Sequence, residues 1–187
     1  ALVVAHNEEQ RLADCLERLR FCDEIVVVLD RCTDGTEAIA RRFTDRVLVG
    51  AWPIEGDRRN LGIGTCTGPW VLEVDADEHV PEALAQEIRA AIATSPADWH
   101  EIPVDNYIGD RLGRHGWGAS FGRSAYAGLF KKGAKTWGLE RVHPKLVFKG
   151  TKGARLKTPI AHYVDRDISD MLRRLDRYTT ANAADLR

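Results

Sequence analysis

The chain of 187 residues has no long apolar run. None exceeds about six residues, against the ~20 that a helix needs to span a bilayer, so no membrane-spanning helix is expected. It has no paired-cysteine motif. Cys15, Cys22, Cys32 and Cys66 form no C-x-x-C and lie beside apolar residues or in a loop, which reads as four free thiols in a reducing compartment. No G-x-G-x-x-G follows the first strand pattern, which argues against a dinucleotide fold. No G-x-x-x-x-G-K-[S/T] occurs, which excludes a P-loop. There is no internal repeat and no low-complexity segment. No signal peptide is visible. The chain opens without Met, inside a strand pattern at "ALVVAHNEE", so residues are expected before it and no address is read from that end.

Charge is also missing selectively. Residues 1–110 contain no lysine, 10 arginines and 22 acids, a balance of −12. Residues 111–158 contain 12 basic residues and one acid, a balance of +11, and residues 159–187 carry five of each. Two readings follow. Either the two parts fold against each other and neutralise locally, or residues 111–158 present a basic face to a phosphorylated or membrane-bound ligand. Nucleic acid is the poorer partner, because the basic segment carries no nucleic-acid-binding motif and no basic helix.

The hydrophobic content of 44% suffices for a sizeable core, and the length is that of one domain. Leu2–Ala5 reads as a strand. Asn7 is placed to cap a helix carrying Leu12, Cys15, Leu16 and Leu19 at i, i+3, i+4 and i+7. "EIVVVLD" is the continuous apolar run of a strand buried on both faces. "DGTEAIARRF", with Asp34 as cap, reads as a helix and "RVLVG" as a strand. "DRRNLGIGTCTG" reads as a helix weakened by its glycines, "WVLEV" as a strand. A helix after Pro81 carries Leu84, Ile88 and Ile92 on one face. This alternation predicts an α/β fold with a mostly parallel sheet flanked by helices. From Trp99 the chain becomes glycine- and aromatic-rich, with short strands expected at 99–104, 128–131 and 141–148. A final helix is predicted from Asp167 to about Leu186.

In open α/β sheets, ligands bind beyond the carboxyl ends of strands. Polar residues gather there three times: His6, Asn7, Glu8 and Glu9 after the first strand, Asp30 after the second, and Asp75 and Asp77 after the fourth. A divalent cation with a phosphate ligand suits such a crevice, since Mg²⁺ or Mn²⁺ prefers carboxylate oxygen. For D-A-D-E the other reading is an acidic cap ahead of Pro81, and for Asp30 a turn residue. Arg58 and Arg59 are candidate phosphate cations or, alternatively, part of a solvated helix face.

"VVAHNEEQRLADCLERL", "DEIVVVLDRCTDGTEAIA", "DRRNLGIGTCTGPWVLEVDADE" and "PIAHYVDRDISDMLRRLDRYTT" together resemble glycosyltransferase family 2, in order and over most of the chain. The last piece is most similar to the branch that acts on lipopolysaccharide core or related lipid-linked glycans. The resemblance implies one GT-A-type (Rossmann-like) domain over 1–187. Residues 1–98 would form the nucleotide-sugar half, 99–166 the acceptor-side half and 167–187 a C-terminal helix. It implies that Asn7–Glu9, with Asn7 and Glu9 in contact, lies by the nucleotide's base and ribose, and that Asp30 contacts the base. Arg59 and Asn60 would lie beside the nucleotide. Asp75 would face the ribose, and Asp77 would bind Mg²⁺ or Mn²⁺ on the diphosphate.

The implied reaction is metal-dependent, inverting transfer from a nucleoside-diphosphate sugar, a UDP-sugar favoured, to a hydroxyl of an anionic, lipid-linked or lipopolysaccharide-type glycan. The implied place is the cytoplasm, peripheral on the cytoplasmic face of the inner membrane, with an anionic membrane surface as partner. The final helix offers a face for a homodimer.

Inverting transfer needs a base. Glu140 is the only acid between Arg111 and Val164, and is either that base or a surface residue paired with Arg141 or a lysine. The related branch often shows V-H-E. Here Val142-His143-Pro144 stands instead, which makes His143 the second candidate base. His115 and His162 are candidate metal or acceptor ligands, or structural residues. Two rival readings stay open. A nucleotidyltransferase acting on sugar phosphates would show a glycine-rich loop where this chain has Asn7-Glu8-Glu9. A catalytically inactive carbohydrate- or lipid-binding relative is compatible with V-H-P.

Overall fold

The computed structural model describes residues 1–113, 123–140, 144–165 and 167–185. The first half is built as the alternation predicts. Strands β1 (Leu2–Ala5), β2 (Val26–Asp30), β3 (Val47–Gly50) and β4 (Trp70–Asp75) run parallel in the order β3-β2-β1-β4. Helices α1 (Leu12–Glu17), α2 (Thr36–Ala40) and α3 (Glu55–Thr65) make the crossovers, and α4 (Glu82–Thr94) follows the short β5 (Glu78–His79).

Alternate residues of each strand feed opposite faces. Val3, Ala5, Val27 and Leu29 pack with Leu12, Leu16, Leu84 and Ile88. Leu2, Val4, Val26 and Val28 pack with Ile63, Cys66 and Phe130. Each buried Leu or Val of this set contributes ~1.5–3 kcal/mol. That two-sided burial is why the strands read as continuous apolar runs.

Two local expectations are corrected. Helix α1 begins at Leu12, not after Asn7. Asn7 is left-handed, with φ 55°, and its Oδ1 accepts the Thr33 N–H at 2.8 Å. The side chain therefore ties the β1 end to the loop after β2 instead of capping a helix. Two of the three glycines of α3, Gly56 and Gly62, which cost helix propensity, prove to be points where it packs closely. A Cβ on Gly62 would stand 2.5 Å from a Leu2 methyl, and one on Gly56 would stand 1.9 Å from the Gly138 carbonyl oxygen. The helix lies where it does because those side chains are absent.

Beyond β4 the sheet becomes mixed. It continues with β8 (Ala125–Lys131), β6 (Trp99–Ile108), β11 (Ile160–Asp165) and β5, with β7 (Arg111–Leu112) on β6. Strand β8 is antiparallel to β4 and β6, while β11 is parallel to β6 and antiparallel to β5. Strands β9 (Lys135–Trp137) and β10 (Leu146–Phe148) form a separate antiparallel pair, and β9 packs on α3. Strands β6 and β8 are longer than the sequence suggests, and β10 is shorter than the 141–148 expected. Helix α5 spans Ile168–Asp185. All four cysteines are free thiols. Among the described residues, no helix is long and apolar enough to cross a membrane.

Candidate active site

Register brings the polar strand ends together. Val4 pairs with Asp75 and Ala5 with Leu29, so the turn after β1 rises between Asp30 and Asp75. On the far side, His162 of β11 pairs with both Asn106 of β6 and Glu78 of β5. Two adjoining clefts open at this edge. The smaller, of about 310 Å³, is lined by His6, Glu8, Arg58, Arg59, Asp75, Asp77 and His162. The larger, of about 770 Å³, runs from Asn7, Glu9 and Asp77 to Asp170 and Arg173 of α5.

Asp30 is buried, 1% exposed, and its carboxylate is fully used. Oδ1 accepts the Trp52 N–H at 3.0 Å and Arg31 Nε at 3.1 Å, and Oδ2 accepts Arg31 Nη2 at 2.7 Å and Arg58 Nη1 at 2.5 Å. Burial works to raise its pKa, but these donors outweigh it and hold the carboxyl below its ordinary value. His6 Nδ1 lies 2.6 Å from the Asp30 carbonyl oxygen. Asp30 thus organises Arg31, Arg58 and His6 at the end of β2.

Asp75 opens the D-A-D-E turn between two arginines. Arg59 Nη2 donates to Oδ1 at 3.0 Å and Arg123 Nη2 to Oδ2 at 3.1 Å. Burial opposes ionisation, yet the two guanidinium charges prevail and hold its pKa at about 2. Glu78 is wholly buried and takes Arg123 at 2.8 Å, the Tyr126 hydroxyl at 3.2 Å and the Asp75 N–H at 2.9 Å. Two residues before Asp75 on β4, buried Glu73 takes Lys135 Nζ at 2.5 Å and Arg59 Nη1 at 2.9 Å. Arg59 also stacks over Trp137, 4.6 Å from its centroid. It is therefore the hub of a buried ionic network, not part of a solvated helix face. Three carboxylates tolerate one another here because three cations of the chain itself stand among them.

Asp77 is outside that network. Its Oδ2 lies 3.4 Å from His162 Nε2, and Arg11 is 3.9 Å away. Asn106 Nδ2 donates to the Arg123 carbonyl at 3.1 Å, so its Oδ1 faces His162 Nδ1, at 2.8 Å. Nδ1 must then carry the proton, and neutral His162 turns a bare Nε2 lone pair toward the Asp77 carboxylate. Two acceptors facing each other need a cation or proton between them. Accordingly, burial lowers the His162 pKa, but the hydrogen bond and charge of Asp77 raise it above its ordinary value. Nearby, burial and the Asp77 charge push Glu8 up to about 7. Among the described residues, no three His, Cys, Asp or Glu side chains form a ready-made metal cage. One carboxylate and one imidazole do fit a divalent ion whose remaining ligands come from a phosphate substrate.

The other predicted residues are placed as follows. Glu9 lines the larger cleft and accepts the Gly35 N–H at 2.8 Å. Asn60 faces β9, exchanging hydrogen bonds with the Trp137 backbone at 2.8 and 2.9 Å. Glu140 is exposed between β9 and β10, accepts the Lys145 N–H at 3.1 Å and lines neither cleft. Backbone hydrogen bonds hold its pKa below the ordinary value. His115 and His143 lie outside the described residues. Sequence reasoning missed Arg123, Tyr126, Lys135 and Asn106, and placed Glu73 as a strand residue only. The one available signal was that Glu inside an apolar strand.

The charge asymmetry is in part local neutralisation. Arg123, Lys131, Lys135, Lys152 and Arg155 pair with Asp75, Glu78, Asp98, Glu73 and Glu101 of the acidic first part.

Known proteins resemble the chain in the same terms. It is 25% identical to the lipopolysaccharide core biosynthesis glycosyltransferase LpsC of Rhizobium meliloti, over 98% of this chain and 69% of LpsC. It is 30% identical to an uncharacterized glycosyltransferase of Rickettsia conorii, over 52% of this chain and 35% of that protein. The fold matches crystalline TarS (residues 1–349) of S. aureus with a TM-score of 0.61 at 15% identity, covering 87% of this chain and 59% of that one. The sheet and its flanking helices are thus of the GT-A type. The profile of glycosyl transferase family 2 matches residues 1–143, and the chain belongs to that family.

Proposed function

We propose that this chain moves a sugar from a nucleoside-diphosphate donor, a UDP-sugar favoured, to a hydroxyl of a glycan or glycolipid acceptor, with Mg²⁺ or Mn²⁺ at Asp77. The carrying observation is His162 Nε2 facing the Asp77 carboxylate across 3.4 Å at the cleft, beside Glu8, whose pKa burial and the Asp77 charge raise to about 7.

In this reading the smaller cleft holds the donor. Asp30, through Arg31, Arg58 and His6, shapes the end that receives the base, and Asp75 is held rigid for the ribose. Asp77 and His162 supply one oxygen and one nitrogen to the cation at the diphosphate. A bound divalent ion would offset the charge that grows on the departing diphosphate. The acceptor enters by the larger cleft, between the turn after β1 and the start of α5. Likeness to LpsC over 98% of the chain supports an acceptor of the lipopolysaccharide-core kind.

The test is nucleotide binding. UDP, GDP, ADP and TDP are titrated with and without Mn²⁺ by calorimetry and thermal shift. The cognate diphosphate at 100 times its Kd should stabilise the protein by about 2.7 kcal/mol. Asp77→Ala should abolish the Mn²⁺-dependent part of the affinity and leave the melting temperature of the free protein unchanged. Unaltered Mn²⁺-dependent affinity in that variant would sink the reading.

A further inference from the structure

Arg123 belongs to the acceptor-side half, two residues ahead of β8, yet its guanidinium ends on the donor-side turn. A single nitrogen, Nη2, stands 3.1 Å from Asp75 Oδ2 and 2.8 Å from Glu78 Oε1. The guanidinium carbon sits 3.7 Å from the Tyr126 ring centroid, and the Tyr126 hydroxyl in turn reaches Glu78 Oε2. The Arg123 backbone carbonyl accepts Asn106 Nδ2 at 3.1 Å, and Asn106 orients the imidazole of His162. One residue thus touches the first carboxylate of D-A-D-E with its side chain, and through its carbonyl governs the imidazole that faces the second.

We propose that Arg123 is a positioning residue for the donor site. It clamps Asp75 against the buried Glu78 and sets the Asn106–His162 pair, so that the acceptor-side half presents the donor-binding carboxylate in one fixed geometry. Without it, Asp75 and Glu78 would share one buried turn with Arg59 as the one cation hydrogen-bonded to Asp75 among the described residues, and the turn would open to separate them. The inference rests on the reading that the smaller cleft takes a nucleoside diphosphate.

The experiment measures Kd by calorimetry with Mn²⁺, for whichever of UDP, GDP, ADP and TDP binds the unaltered protein best. Arg123→Gln should weaken binding by about tenfold or more, as loss of an outer partner of a ligand-binding group does. Arg123→Lys should bind tighter than Arg123→Gln but short of the unaltered protein, because the charge between the two carboxylates returns while the stacking on Tyr126 does not. In a cycle with Asp75→Asn, the double variant should bind no worse than about twofold below the weaker single, since both changes remove one interaction. A general loss of packing would produce neither the rescue nor the coupling.

Folded Arg123→Gln with unchanged Kd, or strictly additive effects in the cycle, would overturn the inference. Where Arg123→Gln does not fold, Glu78→Gln carries the test: it removes the charge that anchors the guanidinium and should weaken binding several-fold, and unchanged affinity there overturns the proposal equally. If the unaltered protein binds none of the four diphosphates, the reading of the cleft fails and this inference with it. Tight binding unaffected by Arg123 refutes only the latter.

Discussion

Carboxylates leave β4 and its turn in two directions, and their surroundings are opposite. In the wall of the smaller cleft and behind it, Glu73, Asp75 and Glu78 meet Arg59, Arg123 and Lys135, three acids against three cations. At the cleft edge, Asp77 meets an imidazole at 3.4 Å and one arginine at 3.9 Å, and Glu8 lines the same cleft. One residue from each setting shows a contrast in ionisation, while the pKa of Glu78, buried beside Asp75, is raised by burial and the Asp75 charge. Against its burial, Asp75 is held at about 2 by Arg59 and Arg123, while burial and Asp77 push Glu8 up to about 7. The chain neutralises its own charges where geometry must be kept, and leaves a deficit of positive charge where a ligand can supply it. That contrast separates Asp77 from its framework neighbours within the six residues Glu73 to Glu78.

The sharpest way to break the comparison is to remove a framework cation. Lys135 is 3% exposed and donates to Glu73 and to the Ala127 carbonyl. Lys135→Ala leaves Glu73 buried with one cation fewer, which should cost ~3–5 kcal/mol in urea denaturation. Asp77→Ala, at the cleft edge, should stay within ~0.5 kcal/mol. Adding Glu73→Gln to Lys135→Ala should recover part of the loss, because the uncompensated charge goes with it. Equal stability of Lys135→Ala and Asp77→Ala would show that the network is not a framework.

A smaller effect should come from the hydroxyl that pins the network to β4. Tyr126 donates within reach of the Glu73 carbonyl at 2.9 Å and of Glu78 Oε2 at 3.2 Å. Tyr126→Phe keeps the ring under Arg123 and removes only that donor. The expected loss is ~1 kcal/mol, a fall of roughly 2–4 °C in melting temperature for a chain of this size. A fall several times larger would mean that the ring, and not only the hydroxyl, had shifted.

The parallel half was legible from residue pattern, because strands such as Val26–Asp30, buried on both faces, need unbroken apolar runs and their helices need apolar stripes. The common address of Asp30, Asp75 and Asp77 was legible for a similar reason: parallel strands present the same end to solvent. The framework was not legible. Lys135 and Glu73 are 62 positions apart, and Arg123 and Asp75 are 48 apart. They meet only because β8 folds back antiparallel onto β4, and no local periodicity reports that pairing. The burial of Arg59 was hidden in the same way, since its helix looks polar until β9 is laid over it. Residues of α3 that read as weak, Gly56 and Gly62, were points of close approach whose partners lie on other elements.

Glu140 tests how far the contrast extends into the acceptor-side half, and the smallest effect is expected there. Its appeal is scarcity, as the sole acid among residues 111–164, and a base for an acceptor hydroxyl typically contributes ~10²–10⁴-fold. Its setting argues otherwise. The side chain is exposed, it is spent on the Lys145 N–H in the connection between β9 and β10, and it lines neither cleft. A carboxylate whose pKa is lowered by backbone hydrogen bonds is also a weaker base. Glu140→Gln should therefore leave kcat within about twofold, the range of an ordinary surface substitution, with donor Kd unchanged. A drop of about 10² or more in kcat at constant donor affinity would reverse the assignment. It would make Glu140 the base.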